Sequence, residues 1–221
     1  MNQQGAVSFL DVLGWKGIWK DDPNSIEKLQ GLINEVRKKA NEITTSMTDV
    51  NPKLRGVATE VLSISDTIVL FTPTDARTAL TIHAKICSYI IPESIKNKIP
   101  IRGATSYGKY TKDGNIMIGP AIDEAASWHE STNWIGVILA PSGQFELRNE
   151  YPGEWTEYKK IPFKSKLAGL ERCVYWEMEE DEAIDQFKLM SPFVPGIAEK
   201  YLNTYEFMKD IENRKKDENP R

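Results

Sequence analysis

A single α+β domain, with an antiparallel-rich sheet of ferredoxin-like type and helices packed mainly on one face, is predicted by three features of the sequence. The 221 residues suit one core with a short extension, residues 1–212 as the domain and 213–221 as a polar tail. Apolar runs alternate between strand-like and helix-like periods in the order β-α-β-β-α-β, followed by further strands and a short helix. Two short reversals, Ile64-Ser65-Asp66 and Lys112-Asp113-Gly114, join neighbouring strand-like runs into hairpins and so impose antiparallel pairing.

The first strand covers residues 6–12, an apolar run broken by Ser8 and closed by Asp11 and Gly14. A helix follows, which Asp22 or Asn24 can cap, with Pro23 suited to its first turn and Ile26, Leu29, Ile33, Val36, Ala40 and Ile43 at helical spacing. After Asn51-Pro52, residues 56–63 and 67–71 are rich in Val, Ile and Thr and form a hairpin whose tip carries Asp66. Residues 74–91 form a helix running into Pro92, with Ala76, Leu80, Ala84 and Cys87 near one face. Residues 101–110 and 115–118 make the second hairpin. Pro120 opens a short helix to about residue 131, and residues 134–140 form the next strand. Residues 170–178 read as a strand and 197–211 as a final helix with Ile197, Tyr201, Tyr205 and Met208 on one side, suited to sealing a core or a dimer edge.

A hydrophobic share of 40%, a charged share of 27% and a formal charge of −4 describe an ordinary globular chain and exclude a nucleic-acid-coating role, which needs a basic surface. A small anionic substrate stays compatible, because metal ions supply the countercharge. The N-terminus lacks a basic stretch before an apolar run, and no window is long and apolar enough to cross a bilayer, so a cytoplasmic protein is expected. Cys87 and Cys173 sit in apolar segments without metal or redox spacing and read as buried thiols. His83 reads as structural; His129 fits either a structural or a chemical role.

The chemistry centres on Asp11, at a strand end, and Asp66, at a hairpin tip, which a ferredoxin-like sheet can bring side by side. Two such carboxylates repel unless a cation lies between them, and hard ions such as Mg²⁺ or Mn²⁺ favour oxygen ligands. On spacing alone both acids also read as turn formers or solvated charges.

Phe9-Leu10-Asp11-Val12-Leu13-Gly14-Trp15 resembles the Phe-x-Asp-x-x-Gly-aromatic signature of class III adenylate and guanylate cyclases, and Ser65-Asp66 stands where that family has its Gly-Asp hairpin tip. Arg102-Gly103-Ala104 and the segment Gly119-Pro120-Ala121-Ile122-Asp123-Glu124-Ala125-Ala126 follow in the family's order, so the resemblance spans approximately residues 7–141. It implies that Asp11 and Asp66 hold two divalent ions, Mn²⁺ or Mg²⁺, that the Val12 carbonyl joins one, and that Phe9 lies beneath the phosphates of a ribonucleoside triphosphate. Gly14 serves either a phosphate-binding N–H array or only the turn.

The departures from the family pattern are specific. Leu62 stands where adenylate cyclases carry a base-reading Lys, Asp123 where they carry Asn, and Ser127 where they carry the transition-state Arg. Arg102 is the best substitute cation, with a salt bridge to Asp123 or Glu124 as its alternative role; Lys16 and Lys109 are weaker candidates. A short domain with intact metal acids and altered base and transition-state positions is most similar to the bacterial pyrimidine cyclases of antiphage (Pycsar) defence. That similarity implies conversion of UTP, or alternatively CTP, to a 3′,5′-cyclic monophosphate that acts on a separate effector protein. It also implies a homodimer whose Asp11 and Asp66 face Arg102, Asp123 or Ser127 of the other chain. The reading from another class is a non-catalytic nucleotide-binding or dimerisation module. A diguanylate cyclase is disfavoured, since Ser63-Ile64-Ser65-Asp66-Thr67 lacks the Gly-Gly-Asp/Glu-Glu-Phe hairpin.

Overall fold

The computed structural model describes residues 2–15, 22–114, 116–148, 150–165, 169–190 and 194–218. Its centre is the predicted unit, β1 (Asn2–Val12), α1 (Ser25–Val50), β2 (Glu60–Ile64), β3 (Thr67–Thr72), α2 (Ala76–Lys96) and β4 (Ile101–Asp113). With β5 (Ile116–Ile118) paired to β4, and with β6 (Gly136–Leu139), β7 (Trp155–Glu157) and β8 (Arg172–Val174) following in the chain, the sheet order is β2-β3-β1-β4-β6-β8-β7. β1 runs antiparallel to β3 and β4, and β4 runs parallel to β6 (Gly136–Leu139), the crossover being made by α3 (Pro120–Trp128).

Alternation along β1 sorts the two faces. Ala6, Leu10 and Val12 join the large core with Leu32, Val36, Leu80 and Ile86 of α1 and α2. Val7 and Phe9 point the other way and pack with Val69, Phe71, Tyr110 and the α3 residues Ala121, Ile122 and Ala125. Helices therefore cover mainly one face, and α3 covers part of the second. The large core also holds a chain of hydroxyls: Thr105 to Ser8 at 2.7 Å, Ser8 to His83 Nδ1 at 2.6 Å, His83 Nε2 to Thr72 at 2.9 Å, Thr72 to Thr59 at 2.8 Å and Thr59 to Thr44 at 2.9 Å. His83 is thus structural and satisfied without a charge.

Several boundaries differ from the sequence reading. The second helix passes Pro92 and ends at Lys96. Proline forfeits one N–H bond there, but Pro92, Ile91 and Ile95 are all buried, and that burial outweighs the loss. The strand expected over 56–63 begins only at Glu60, because the Val57 N–H turns back to the Leu54 carbonyl at 2.9 Å. Neither Asp22 nor Asn24 caps α1 through its side chain; Asp22 accepts the Asn24 N–H at 3.0 Å and Lys28 Nζ instead.

The C-terminal third adds α4 (Pro141–Leu147), β7 (Trp155–Glu157), a short β8 (Arg172–Val174), α5 (Glu180–Leu189) and α6 (Pro195–Glu218). Phe207 of α6 is buried against Trp134, Tyr158 and Trp176, so the final helix seals a core. It continues through residues 213–218, which the sequence assigned to a polar tail. Arg214 pairs with Asp210, Lys216 with Glu212 at 2.7 Å and Lys215 with Glu177 at 2.6 Å, giving those polar turns partners. Among the described residues no helix is long and apolar enough to cross a membrane.

Candidate functional site

Asp11 stands at the C-terminal end of β1, on the face that also carries Phe9. It sits opposite Thr67 of β3 on one side and opposite Arg102 of β4 on the other. The β2–β3 hairpin turns through Ser65 at φ +56°, and the Val12 N–H donates to the Asp66 carbonyl at 3.2 Å. The sheet therefore brings the two acids to adjoining strand ends, as their order in the chain suggests. Burial pushes the Asp11 carboxyl above its ordinary range, with the charge of Asp66 adding to that rise and the Arg102 guanidinium opposing it.

Arg102 is the most engaged side chain of the site. Its Nε and Nη2 donate to Asp11 Oδ2 at 3.2 and 3.1 Å, its Nη1 donates to the Glu130 and Thr132 carbonyls at 3.4 and 3.2 Å, and Nη2 lies 3.6 Å from the Glu130 carboxylate. The alternative bridge to Asp123 or Glu124 is replaced by this one, and Glu124 accepts the Ser142 N–H at 3.0 Å. Arg102 and Asp11 belong to the same chain, so the expectation that Arg102 reaches across a dimer to Asp11 gives way to an intrachain pair. The close β1–β4 approach depends on Gly103, where a Cβ would lie 2.4 Å from the Phe9 carbonyl.

The remaining sequence candidates divide. Phe9 is buried and its ring lies 5.9 Å from that of His129. Leu62, half-buried, packs on the Phe9, Val69 and Phe71 cluster. Gly14 has φ +77°, which favours glycine, with open space around it, and the preceding Leu13 N–H is taken by the Pro100 carbonyl at 2.8 Å. Asp123 and Ser127 are exposed on α3, joined by a 2.6 Å bond from the Ser127 hydroxyl to the Asp123 carbonyl. Lys109 is exposed on β4, and Lys16 lies outside the described residues.

Four candidate side chains escaped the sequence reading or were left open by it. His129 and Glu130, directly after α3, place one donor atom each within 4.8 Å of one another and of a carboxylate oxygen of Asp11; Asp66 is not part of this group. A carboxylate–imidazole–carboxylate set suits a divalent ion, and Asp11 is the residue common to it and to the Asp11–Asp66 pair. Lys164 and Lys200 form a second cationic layer. Backbone pairing of Thr132 with Phe163, and the Lys164 N–H on the Ser131 carbonyl at 2.9 Å, bring Lys164 beside the segment that holds Arg102. Helix α6 docks through Asn203 on the Asn133 carbonyl at 2.8 Å and Thr204 on the Ile135 N–H at 2.9 Å, which brings Lys200 to the same place. Partial burial and then the Arg102 charge lower both lysines below the usual ammonium range. The adjacent His129-Glu130 and the basic run at Lys159, Lys160 and Lys164 were the available signals.

No family model and no curated protein matches the sequence. Solved structures do match the fold. The adenylyl cyclase CyaB from P. aeruginosa superposes with a TM-score of 0.52 at 14% identity, covering 81% of this chain and 97% of that one. The adenylate/guanylate cyclase/hydrolase from Silicibacter pomeroyi gives 0.52 at 13%, covering 81% and 99%. The catalytic core of a rhodopsin-guanylyl cyclase with converted specificity, in complex with ATPαS, gives 0.50 at 16%, covering 78% and 95%. The chain has the fold of the class III nucleotide cyclase catalytic domain.

Proposed function

We propose that this chain is a nucleotide cyclase that closes UTP to 3′,5′-cyclic UMP with release of diphosphate. The observation that carries the reading is the convergence of Asp11 and the Asp66 turn at adjoining strand ends of a cyclase catalytic-domain fold. In the reaction the ribose 3′-oxygen forms a bond to the α-phosphorus, the bond from that phosphorus to the bridging oxygen breaks, and the diphosphate leaves. Two divalent ions, Mn²⁺ or Mg²⁺, supply charge neutralisation and activation of the 3′-hydroxyl when bound.

The chain's own groups supply position and field. Asp11, Asp66 and the Val12 carbonyl would hold the ions, and Arg102 fixes the Asp11 carboxylate through two bonds to one oxygen. Arg102 is thereby a positioning residue, and Lys164 and Lys200 provide the cations that draw in the triphosphate. Phe9 closes the floor beneath the phosphates. Leu62 offers the base an apolar contact and no donor, which fits a substrate other than adenine. By resemblance to the antiphage pyrimidine cyclases, the protein acts in the cytoplasm as a homodimer, and its product signals to a separate effector.

A non-catalytic nucleotide-binding module is the second reading, favoured by the Arg102 guanidinium on Asp11 and by Ser127 at the position of the family's arginine. Incubation of the purified protein with each of the four ribonucleoside triphosphates and Mn²⁺, followed by mass spectrometry, separates the two. Cyclic UMP is the expected product. Cyclic CMP would change the base and keep the class, and a bound but unchanged nucleotide would establish the second reading.

A further inference from the structure

We propose that Asp11, His129 and Glu130 form a divalent transition-metal site in which the His129 imidazole makes the chain prefer Mn²⁺ to Mg²⁺. The proposal rests on the assignment of Asp11 as a metal acid and adds two ligands that the two-aspartate arrangement lacks. One donor atom of each residue lies within 4.8 Å of the others. Donors around an ion at about 2.1 Å stand about 3 Å apart, so the group closes by a movement of under about 2 Å. Glu130, exposed just beyond the end of α3, has the freedom to make it.

His129 is already set as a ligand. Its Nδ1 lies 2.6 Å from the Ala126 carbonyl, which can only accept, so Nδ1 carries a proton and Nε2 is the nitrogen left to take a metal. A metal-bound imidazole commonly uses its second nitrogen in this way, and the partner raises its basicity and fixes its ring. The Phe9 ring at 5.9 Å packs beside it. Asp11 gives both Arg102 bonds to Oδ2, which leaves Oδ1 without a bond to that guanidinium.

Charge and donor type decide what binds. Asp11 and Glu130 set two negative charges against the Arg102 guanidinium, with Lys164 close enough to feel both acids and Lys200 beside Arg102, so attraction alone does not select the ion and the imidazole donor must. Both ions favour oxygen, but Mg²⁺ parts reluctantly with water, and a nitrogen donor is better tolerated by Mn²⁺ and better still by the later divalent ions. The three donors thus discriminate by chemistry rather than by cavity size.

The test is Mn²⁺ binding by the metal-stripped full-length protein without nucleotide, read by EPR of free Mn²⁺, by Mg²⁺ competition and by pulsed EPR of the bound ion. Wild type should hold Mn²⁺ at least about tenfold tighter than Mg²⁺ and show nitrogen coupling from one imidazole. His129→Ala should lose that coupling and weaken Mn²⁺ binding about 10–100-fold while changing Mg²⁺ binding less than about threefold. Glu130→Gln should weaken both ions, and circular dichroism of each variant verifies the fold. Asp66→Asn should keep the nitrogen coupling, which separates this site from the two-aspartate pair. Bound Mn²⁺ without nitrogen coupling, unchanged binding in both His129→Ala and Glu130→Gln, or no Mn²⁺ binding at millimolar concentrations overturns the proposal. The first two results leave the cyclase reading standing, because Asp11 and Asp66 would then be the ligands.

Discussion

The chain has two histidines, and their surroundings are opposites. His83 is fully buried on the helix-covered face of the sheet, each ring nitrogen facing a neutral hydroxyl. His129 is half-buried at the strand ends on the other face, beside Asp11 and Glu130. The first environment disfavours charge and holds His83 down at about 3 by desolvation; the second concentrates charge. One face of the sheet is built to be satisfied internally, and the other gathers carboxylates and cations at the strand ends.

The largest expected effect breaks that division at the charged side. Asp66→Asn should reduce cyclisation by more than about a hundredfold with little change in melting temperature. Asp11→Ala should be equally inactive but also less stable, by about 3 kcal/mol, because it leaves the buried Arg102 guanidinium with only its longer contact to the exposed Glu130 carboxylate. Thermal melts of the two variants side by side check both statements, and equal stability would contradict the pair's structural role. Mixing inactive Asp11→Asn and Arg102→Gln subunits should restore no activity even with proven subunit exchange, since both residues serve one chain's site.

On the internally satisfied face, His83→Ala should cost about 2–3 kcal/mol in urea unfolding, since the Ser8 and Thr72 hydroxyls each lose a buried partner. Turnover at 25 °C should stay within about twofold of wild type. The pH dependence sharpens the same point. Between pH 6.5 and about 3 the unfolded chain protonates His83 and the folded chain does not, so stability falls as pH falls through that window. The slope from this residue is at most about 1.4 kcal/mol per pH unit, and it should vanish in His83→Gln. The smallest effects belong to Lys164→Ala and Lys200→Ala. Each should raise KM for the triphosphate about three- to tenfold in low salt, with less change as ionic strength rises.

The central β-α-β-β-α-β unit was legible because its signals are local: strand-length apolar runs, helical spacing and two reversals. The adjacency of Asp11 and Asp66 followed from that order. What the sequence concealed depends on long-range contact. Pro92 looks like a helix end until the burial of Ile91 and Ile95 is known, and residues 213–218 look like a tail until Glu177 pairs with Lys215. The Arg102–Asp11 bond joins residues 91 positions apart, and the local acids Asp123 and Glu124 were the nearer partners on paper. Lys164 and Lys200 reach the site only through the docking of α6 and the pairing of Thr132 with Phe163, neither of which has a local signature.

The central claim, that paired acids at the strand ends cyclise a nucleotide, is tested most directly by product stoichiometry. Wild type and Asp66→Asn, matched in melting temperature, are incubated with UTP and Mn²⁺, and cyclic UMP and diphosphate are quantified together. The account predicts one diphosphate per cyclic UMP from wild type and neither product from Asp66→Asn. Diphosphate without a cyclic product, or equal turnover by Asp66→Asn, would contradict it.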